Sequence, residues 1–300
     1  MTETFRIAEY PRPTHTLVQI SDTRFTAGSA PLHGVVDCEQ KLADVLDTVA
    51  ATGVPVDTLL MTGDLTDAGD PGAYRRLREL VEPAAAALGA PVLWAMGNHD
   101  DRAAFRENLL DEAPTTEPID IVHDVHGLRV ICLDSSIPGK SRGEVTAEQA
   151  QWLAGELSSP AEHGTLLVIH HPPLPVTSER AVLWELCEQW RLADAVRGTD
   201  MRTIVSGHLH CTVSGMFAGI PVSTATSVAY SGDLSAPADA QRGADGGGGY
   251  NLIQIYDETV VHTAVPLLGT FATVGPVFTR NDIAAELERK GVHTRERAST

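Results

Sequence analysis

Short apolar runs of strand length alternate with helical periodicity along much of this chain. Thr16-Leu17-Val18-Gln19-Ile20 predicts a strand, and Leu42, Val45, Leu46 and Val49 then recur at helical spacing up to about Gly53. Thr58-Leu59-Leu60-Met61 is the next apolar run, followed by a helix from about Pro71 to Leu88 that opens with proline in its first turn. Pro91 to Met96 makes a third strand. The order strand, helix, strand, helix, strand predicts a parallel sheet with right-handed crossovers.

Further along, Leu128 to Leu133 predicts a strand, Thr146-Ala147-Glu148-Gln149 opens a helix with a capping-box pattern, and Leu166 to Ile169 predicts another strand. A helix around Trp184 to Val196 precedes the run Arg202 to Ser206, with Trp184 and Trp190 taken as packing groups. From Cys211 to Pro266 the helical period disappears. Gly219 to Ala225, Asn251 to Tyr256 and Val260 to Pro266 are expected to be antiparallel strands of a second sheet packed on the first. Ser235 to Gly249 predicts a loop, and Asn281 is expected to cap a last helix running to about Lys290, before a frayed tail. The expected divisions are a lead-in over 1–13, one domain over 14–270, and a C-terminal helix and tail over 271–300.

Polar islands sit where these apolar runs end: Asp22-Thr23-Arg24, Gly63-Asp64, Gly97-Asn98-His99-Asp100, His170-His171 and Gly207-His208-Leu209-His210. Open α/β sheets bind ligands at the carboxyl ends of their strands, so the islands can converge on one site. Asp, Asn and His together suit a divalent cation and hydrolytic chemistry. Arg24 departs from that chemistry, because a guanidinium stays protonated and has no lone pair to offer.

Composition narrows the function. A net charge of −18 over 300 residues opposes binding to a nucleic acid polymer, while a small anionic substrate at a metal site remains compatible. No run reaches the roughly 18 apolar residues of a spanning helix, and no basic-then-apolar leader opens the chain, so a cytoplasmic protein is expected. Cys38, Cys132, Cys187 and Cys211 lack the spacing of a zinc ribbon or a disulfide framework. Lys140-Ser141-Arg142 is a softer candidate for meeting an anion; His171 is expected to support the site from behind, and His33 and His123 to have no part in it.

Together the islands resemble the calcineurin-like metallophosphoesterase superfamily, whose pattern is Asp-x-His, Gly-Asp, Gly-Asn-His-Asp/Glu, a later His, and Gly-His-x-His. The resemblance runs from about Thr14 to Pro266. It looks most like the bacterial class III cyclic-nucleotide phosphodiesterases of mycobacterial cyclic-AMP type. It implies an α/β fold, a four-layer αββα sandwich of two mixed sheets flanked by helices, and a homodimer. It also implies two divalent cations, such as manganese, iron or zinc, bridged by Asp64. By resemblance, a first site takes Asp22, His210 and the position held by Arg24. A second takes Asn98, His170 and His208. Catalytic roles fall on Asp64, Asn98 and His99, with His99 touching the phosphate and protonating the leaving oxygen.

The expected function is metal-dependent hydrolysis of small phosphodiesters, including 3',5'- or 2',3'-cyclic nucleotides. Alternatives are a phosphatase or phosphodiesterase of another small substrate, and a metal-poor binding protein of the same fold. At the first site, Arg24 is expected either to pair with Asp22 or face the phosphate, leaving one metal, or to swing into solvent and leave a gap in a two-metal centre.

Overall fold

The computed structural model describes residues 6–175, 179–237, 242–267 and 274–295. β1 (Arg6–Pro11) leads into β2 (His15–Ile20), α1 (Cys38–Thr52), β3 (Thr58–Thr62), α2 (Pro71–Leu88), β4 (Val92–Ala95) and α3 (Arg102–Leu109). Next come β5 (Ile121–Val125), β6 (Leu128–Leu133), β7 (Gly143–Glu144), α4 (Ala147–Glu156), β8 (Thr165–Ile169), β9 (Leu186–Cys187), α5 (Trp190–Val196) and β10 (Met201–Ser206). The chain continues through β11 (Val213–Phe217), β12 (Ile220–Thr224), β13 (Ser231–Gly232), β14 (Gly243–Ala244), β15 (Gly249–Ile255) and β16 (Val260–Pro266), then α6 (Arg280–Arg289) and β17 (Val292–Arg295).

Two mixed sheets stack face to face with helices outside them. The first has the order β16-β15-β2-β3-β4, with β2, β3 and β4 parallel, and the second has the order β11-β12-β10-β8-β6-β5. Alternation along each strand explains the layers. Val18, Ile20, Leu59 and Met61 pack under α1 and α2, whereas Leu17 and Leu60 meet Val130, Val168 and Val205 of the other sheet. Ile131, Leu167 and Ile204 pack with Leu153 of α4 and Leu192 of α5. Strands covered on both faces read as unbroken apolar runs, which is why β3 and β8 are so legible.

The helix ends follow their capping chemistry. Asp37 and Asp70 accept from the third helical amides of α1 and α2, and Gly53 and Gly89 close those helices in the left-handed region. Thr146 and Gln149 form the reciprocal capping box of α4.

Several expectations change. The C-terminal strands do not form a sheet of their own. β15 pairs antiparallel with β2 in the first sheet, and β12 lies parallel to β10 in the second. Local pattern cannot report which distant edge a strand will join. The expected Trp184 to Val196 helix shortens to α5, because Leu186–Cys187 pairs with β7 and Glu188 takes a left-handed φ of 48° that breaks a helix. Trp190 is 60% exposed, so it does not pack in the core. Thr279, not Asn281, caps α6, through a capping box with Asp282. Part of the expected tail pairs with β1 as β17, and residues 296–300 lie outside the described residues. Within the expected Ser235 to Gly249 loop, β14 pairs with β13, while residues 238–241 lie outside the described residues.

Candidate functional site

β2, β3, β4, β8 and β10 all end on one side of the sandwich, and the turns after them carry the polar islands. Asp22 N donates to Gly63 O (3.0 Å) and Arg24 N to Asp64 O (3.1 Å), so the first two turns run side by side. Asp22, Arg24, Asp64, His208 and His210 all adopt φ between 50° and 71°. That conformation costs non-glycine residues on the order of 1–3 kcal/mol each, so tertiary packing must hold these turns. Two glycines let them close. A Cβ on Gly97 would collide with the amide and carboxylate of Asp64, and one on Gly207 with the Ser21 hydroxyl.

Buried polar groups lock the turns. Asp100 accepts from the amides of Leu65 (3.1 Å), Thr66 (3.0 Å) and Gly97 (2.9 Å), tying the turn after β3 to that after β4. Burial and then the neighbouring charge of Asp64 raise its carboxyl pKa, while those amides act the other way. Between the sheets, Gln19 Nε2 donates to Ser206 O (2.8 Å), and Asn251 Nδ2 donates to Gln19 Oε1 (3.2 Å).

Backbone carbonyls, which only accept, fix the histidine tautomers. His170 Nδ1 donates to Thr62 O (2.9 Å), His208 Nε2 to Trp184 O (2.8 Å), and His210 Nδ1 to Tyr230 O (2.9 Å). In the neutral rings, His170 Nε2, His208 Nδ1 and His210 Nε2 therefore carry the lone pairs. The other ring nitrogen being held by a carbonyl is the usual support of a metal-ligating histidine.

The free donor atoms gather into two overlapping triplets, Asp64–His170–His208 and Asp22–Asp64–His210, each with its donor atoms within 4.8 Å of one another. Around the first of these triplets, His170 Nε2, His208 Nδ1 and Asn98 Oδ1 are buried without a hydrogen-bond partner. Leaving such atoms unsatisfied is costly, and a cation bound by these nitrogens and oxygens would satisfy all three at once. The residues there fit a metal ion.

The charges point the same way. Burial opposes ionisation of Asp64, but Arg24 and His170 outweigh it and hold the carboxyl well below its usual range. Burial likewise opposes ionisation of Asp22, with His210 and His170 outweighing it. Packing and then the charge of His170 push His208 down to about 3, so it stays neutral and able to ligate. His170, pulled upward by Asp64 against the effect of burial, rises to about 9. Its Nε2 lies 3.3 Å from Asp64 Oδ1, and a bound cation would take the place of the proton on that nitrogen.

The second triplet differs. Arg24 is 7% exposed, and its guanidinium turns inward. Nη2 lies 2.9 Å from Asp64 Oδ2 and 3.3 Å from His210 Nε2, while Nη1 lies 3.2 Å from Asp67 Oδ1. The expected pairing with Asp22 is replaced by pairing with Asp64 and Asp67, and the outward rotamer is not adopted. Burial works against the charge on Arg24, yet Asp64 and Asp22 raise its pKa above the usual value.

His99 N donates to Asp64 Oδ1 (2.9 Å), and its Nδ1 donates to Asp67 O (2.8 Å), leaving Nε2 at the part-exposed edge of the site. His171 is buried behind the cluster, its ring 4.4 Å from that of His208 and hydrogen-bonded to Ser135 Oγ and Ser141 O. Lys140 and Arg142 are exposed. Asp67, Gln19 and Tyr230 were not singled out by sequence reasoning, and Asp100, which closes one of the polar islands, was given no role of its own. Asp67 is three residues beyond Asp64, and only the folded turn brings both carboxylates to Arg24.

Residues 15–212 match the model of the calcineurin-like phosphoesterase family. The chain is 50% identical over 291 residues to a probable cyclic nucleotide phosphodiesterase of Rhodococcus erythropolis, covering 97% of this chain and 96% of that one. It is 48% identical over 275 residues to a cAMP/cGMP dual specificity phosphodiesterase of Mycobacterium tuberculosis, covering 90% and 86%. Among solved structures it superposes on a dimetal phosphatase from Danio rerio with a TM-score of 0.60 at 13% identity, covering 85% of this chain and 97% of that one, a likeness of fold.

Proposed function

Since the chain belongs to the calcineurin-like phosphoesterase family, we propose that it is a metal-dependent phosphodiesterase of small phosphodiesters, with cyclic nucleotides as its substrate class. The observation that carries the reading is the set of buried, unpartnered atoms His170 Nε2, His208 Nδ1 and Asn98 Oδ1 beside the Asp64 carboxylate. The cyclic-nucleotide assignment is supported by two relatives that bear such names and align over nearly the whole chain.

Asp64, Asn98, His170 and His208 hold the cation in this reading. Two imidazoles with carboxylate and amide oxygens suit manganese, iron or zinc. A cation there supplies Lewis-acid polarisation of a phosphoryl oxygen and lowers the pKa of an attacking water. The protein's own groups do the rest. Asp64, fixed by the His99 amide, keeps its charge directed at the centre. His99, oriented by its bond to Asp67 O, presents Nε2 to the leaving oxygen and donates the proton that oxygen needs. The acidic surface disfavours a polymeric polyanion, which leaves a small diester as substrate.

Among the described residues no helix is long and apolar enough to cross a membrane. A cytoplasmic homodimer whose metallophosphoesterase domain spans 14–270 completes the proposal.

Assaying 3',5'- and 2',3'-cyclic nucleotides, a bis-aryl phosphate and an aryl phosphate with manganese tests it. The expected result is diester hydrolysis by the wild type, reduced at least about 100-fold in Asn98→Ala, since that change removes a group stabilising the transition state. Equal rates in the two proteins, or a preference for the monoester, would overturn the reading.

A further inference from the structure

In place of a second cation, the Asp22–Asp64–His210 triplet holds a guanidinium. Arg24 Nη2 is 2.9 Å from Asp64 Oδ2 and 3.3 Å from His210 Nε2, in contact with two of the atoms that would ligate a metal there. His210 Nδ1 donates to Tyr230 O, so Nε2 is an acceptor, and Arg24 supplies its donor. Asp22 Oδ1 lies 3.2 Å from the same Nε2. Two lone-pair atoms at that separation are stabilised by a positive charge nearby, and the guanidinium, 3.3 Å from the same Nε2, supplies one.

The arginine is held in place. Its amide bonds to Asp64 O, Thr23 Oγ1 donates to Leu65 O (2.8 Å), and Phe25 bridges to Thr66, so the turn on both sides of it is paired with the turn after β3. Asp67 Oδ1 anchors Nη1. A route to solvent would take from the buried Asp64 Oδ2 the guanidinium 2.9 Å away, removing a counter-charge from a fully enclosed carboxylate. A divalent cation in this triplet would instead lie in van der Waals contact with a fixed positive charge. The neighbouring set has no guanidinium against it: His208 Nδ1 and Asn98 Oδ1 are buried without a hydrogen-bond partner, and His170 Nε2 faces Asp64 Oδ1 at 3.3 Å.

We infer that this chain carries one metal ion, at Asp64, Asn98, His170 and His208, and that the guanidinium of Arg24 permanently replaces the cation of the Asp22–Asp64–His210 site. The inference rests on the metal-dependent reading of the site, but not on its substrate. It separates the roles of the acidic groups. Asp64 serves both a metal and an arginine, His210 meets the arginine, and Asp22 ligates nothing but supports the turn by accepting from the His208 amide (3.0 Å).

Manganese binding tests this directly. Metal-stripped wild type titrated with manganese in a calorimeter, with elemental analysis after desalting, should show about one tight equivalent per chain. Arg24→His should show about two, and its manganese-loaded form should give a spin-coupled electron paramagnetic resonance spectrum where the wild type gives that of an isolated ion. Asp22→Ala should keep the single equivalent of the wild type, whereas His208→Ala should lose it. Arg24→Met, which removes the charge without adding a nitrogen ligand, guards against a folding artefact, since it should retain the single equivalent. Two tight equivalents in the wild type, none at all, or loss of the single equivalent in Asp22→Ala would each overturn the inference. One equivalent without diester hydrolysis would sink the proposed activity and leave the inference standing. Diester hydrolysis with two equivalents would do the reverse.

Discussion

The Tyr74 hydroxyl donates to Asp100 Oδ1 at 2.9 Å and accepts from the Asp101 amide at 3.0 Å, fixing the turn after β4 to helix α2. Both groups are enclosed, so the phenol is held in its neutral, donating form by burial and by the Asp100 charge. Tyr74→Phe removes one donor from Asp100 and strands the Asp101 amide. The expected loss is about 1–3 kcal/mol of stability. Denaturant unfolding measures it; an unchanged midpoint would mean that water replaces the phenol without cost.

Gly97→Ala tests close approach, not backbone conformation. The added methyl meets the amide and carboxylate of Asp64, and no flexible side-chain end is there to yield. Overpacking of this kind costs about 1–3 kcal/mol. Because the displaced group is Asp64 itself, manganese affinity should fall with stability. Retained affinity would show that the turn relaxes elsewhere.

Metal binding should itself stabilise the fold. Supplying a ligand to the buried atoms His170 Nε2, His208 Nδ1 and Asn98 Oδ1 gives about 2.7 kcal/mol at a manganese concentration 100 times its Kd. Thermal unfolding with and without chelator reads this out. Wild type should shift upward with manganese, and His208→Ala should not. An equal shift in both proteins would place the bound ion elsewhere.

Away from the site, His262 predicts an acid sensitivity. Its Nε2 lies 2.9 Å from Thr203 Oγ1, and burial lowers its pKa to about 4. The unfolded chain takes up this proton near pH 6.5, where the folded one does not. Stability is therefore lost as pH falls from about 6.5 towards about 4, on the order of 3 kcal/mol in all. His262→Gln should flatten that part of the pH profile. An unchanged slope in urea unfolding across this window would assign the sensitivity to other groups.

The elements most legible in the sequence were those buried on both faces or capped by chemistry of their own. β3 and β8 are unbroken apolar runs, and α2 begins at proline after the capping Asp70 and stops at Gly89. The region around Trp184 was misread because β9 exists only through its pairing with β7, a contact with no local signature. The same limitation hid the sheet membership of β12 and β15. At the site, residue types announced the metal-ligating islands, but Asp67 looked like an ordinary turn acid, and the islands did not show that Asp100 would tie two turns together.

The sequence by itself determined the order of the strands and the chemical character of the turns that follow them, because periodicity and residue type are local properties. It also determined that Arg24 could not be a metal ligand, since no environment gives a guanidinium a lone pair. Only the tertiary structure decided where that charge goes. Three carboxylates and an imidazole compete for it, and the left-handed turns after β2 and β3 direct it to Asp64, Asp67 and His210 while leaving Asp22 at one remove. Such a choice depends on distances of a few ångströms between segments some 40 to 190 positions apart, which no local pattern encodes.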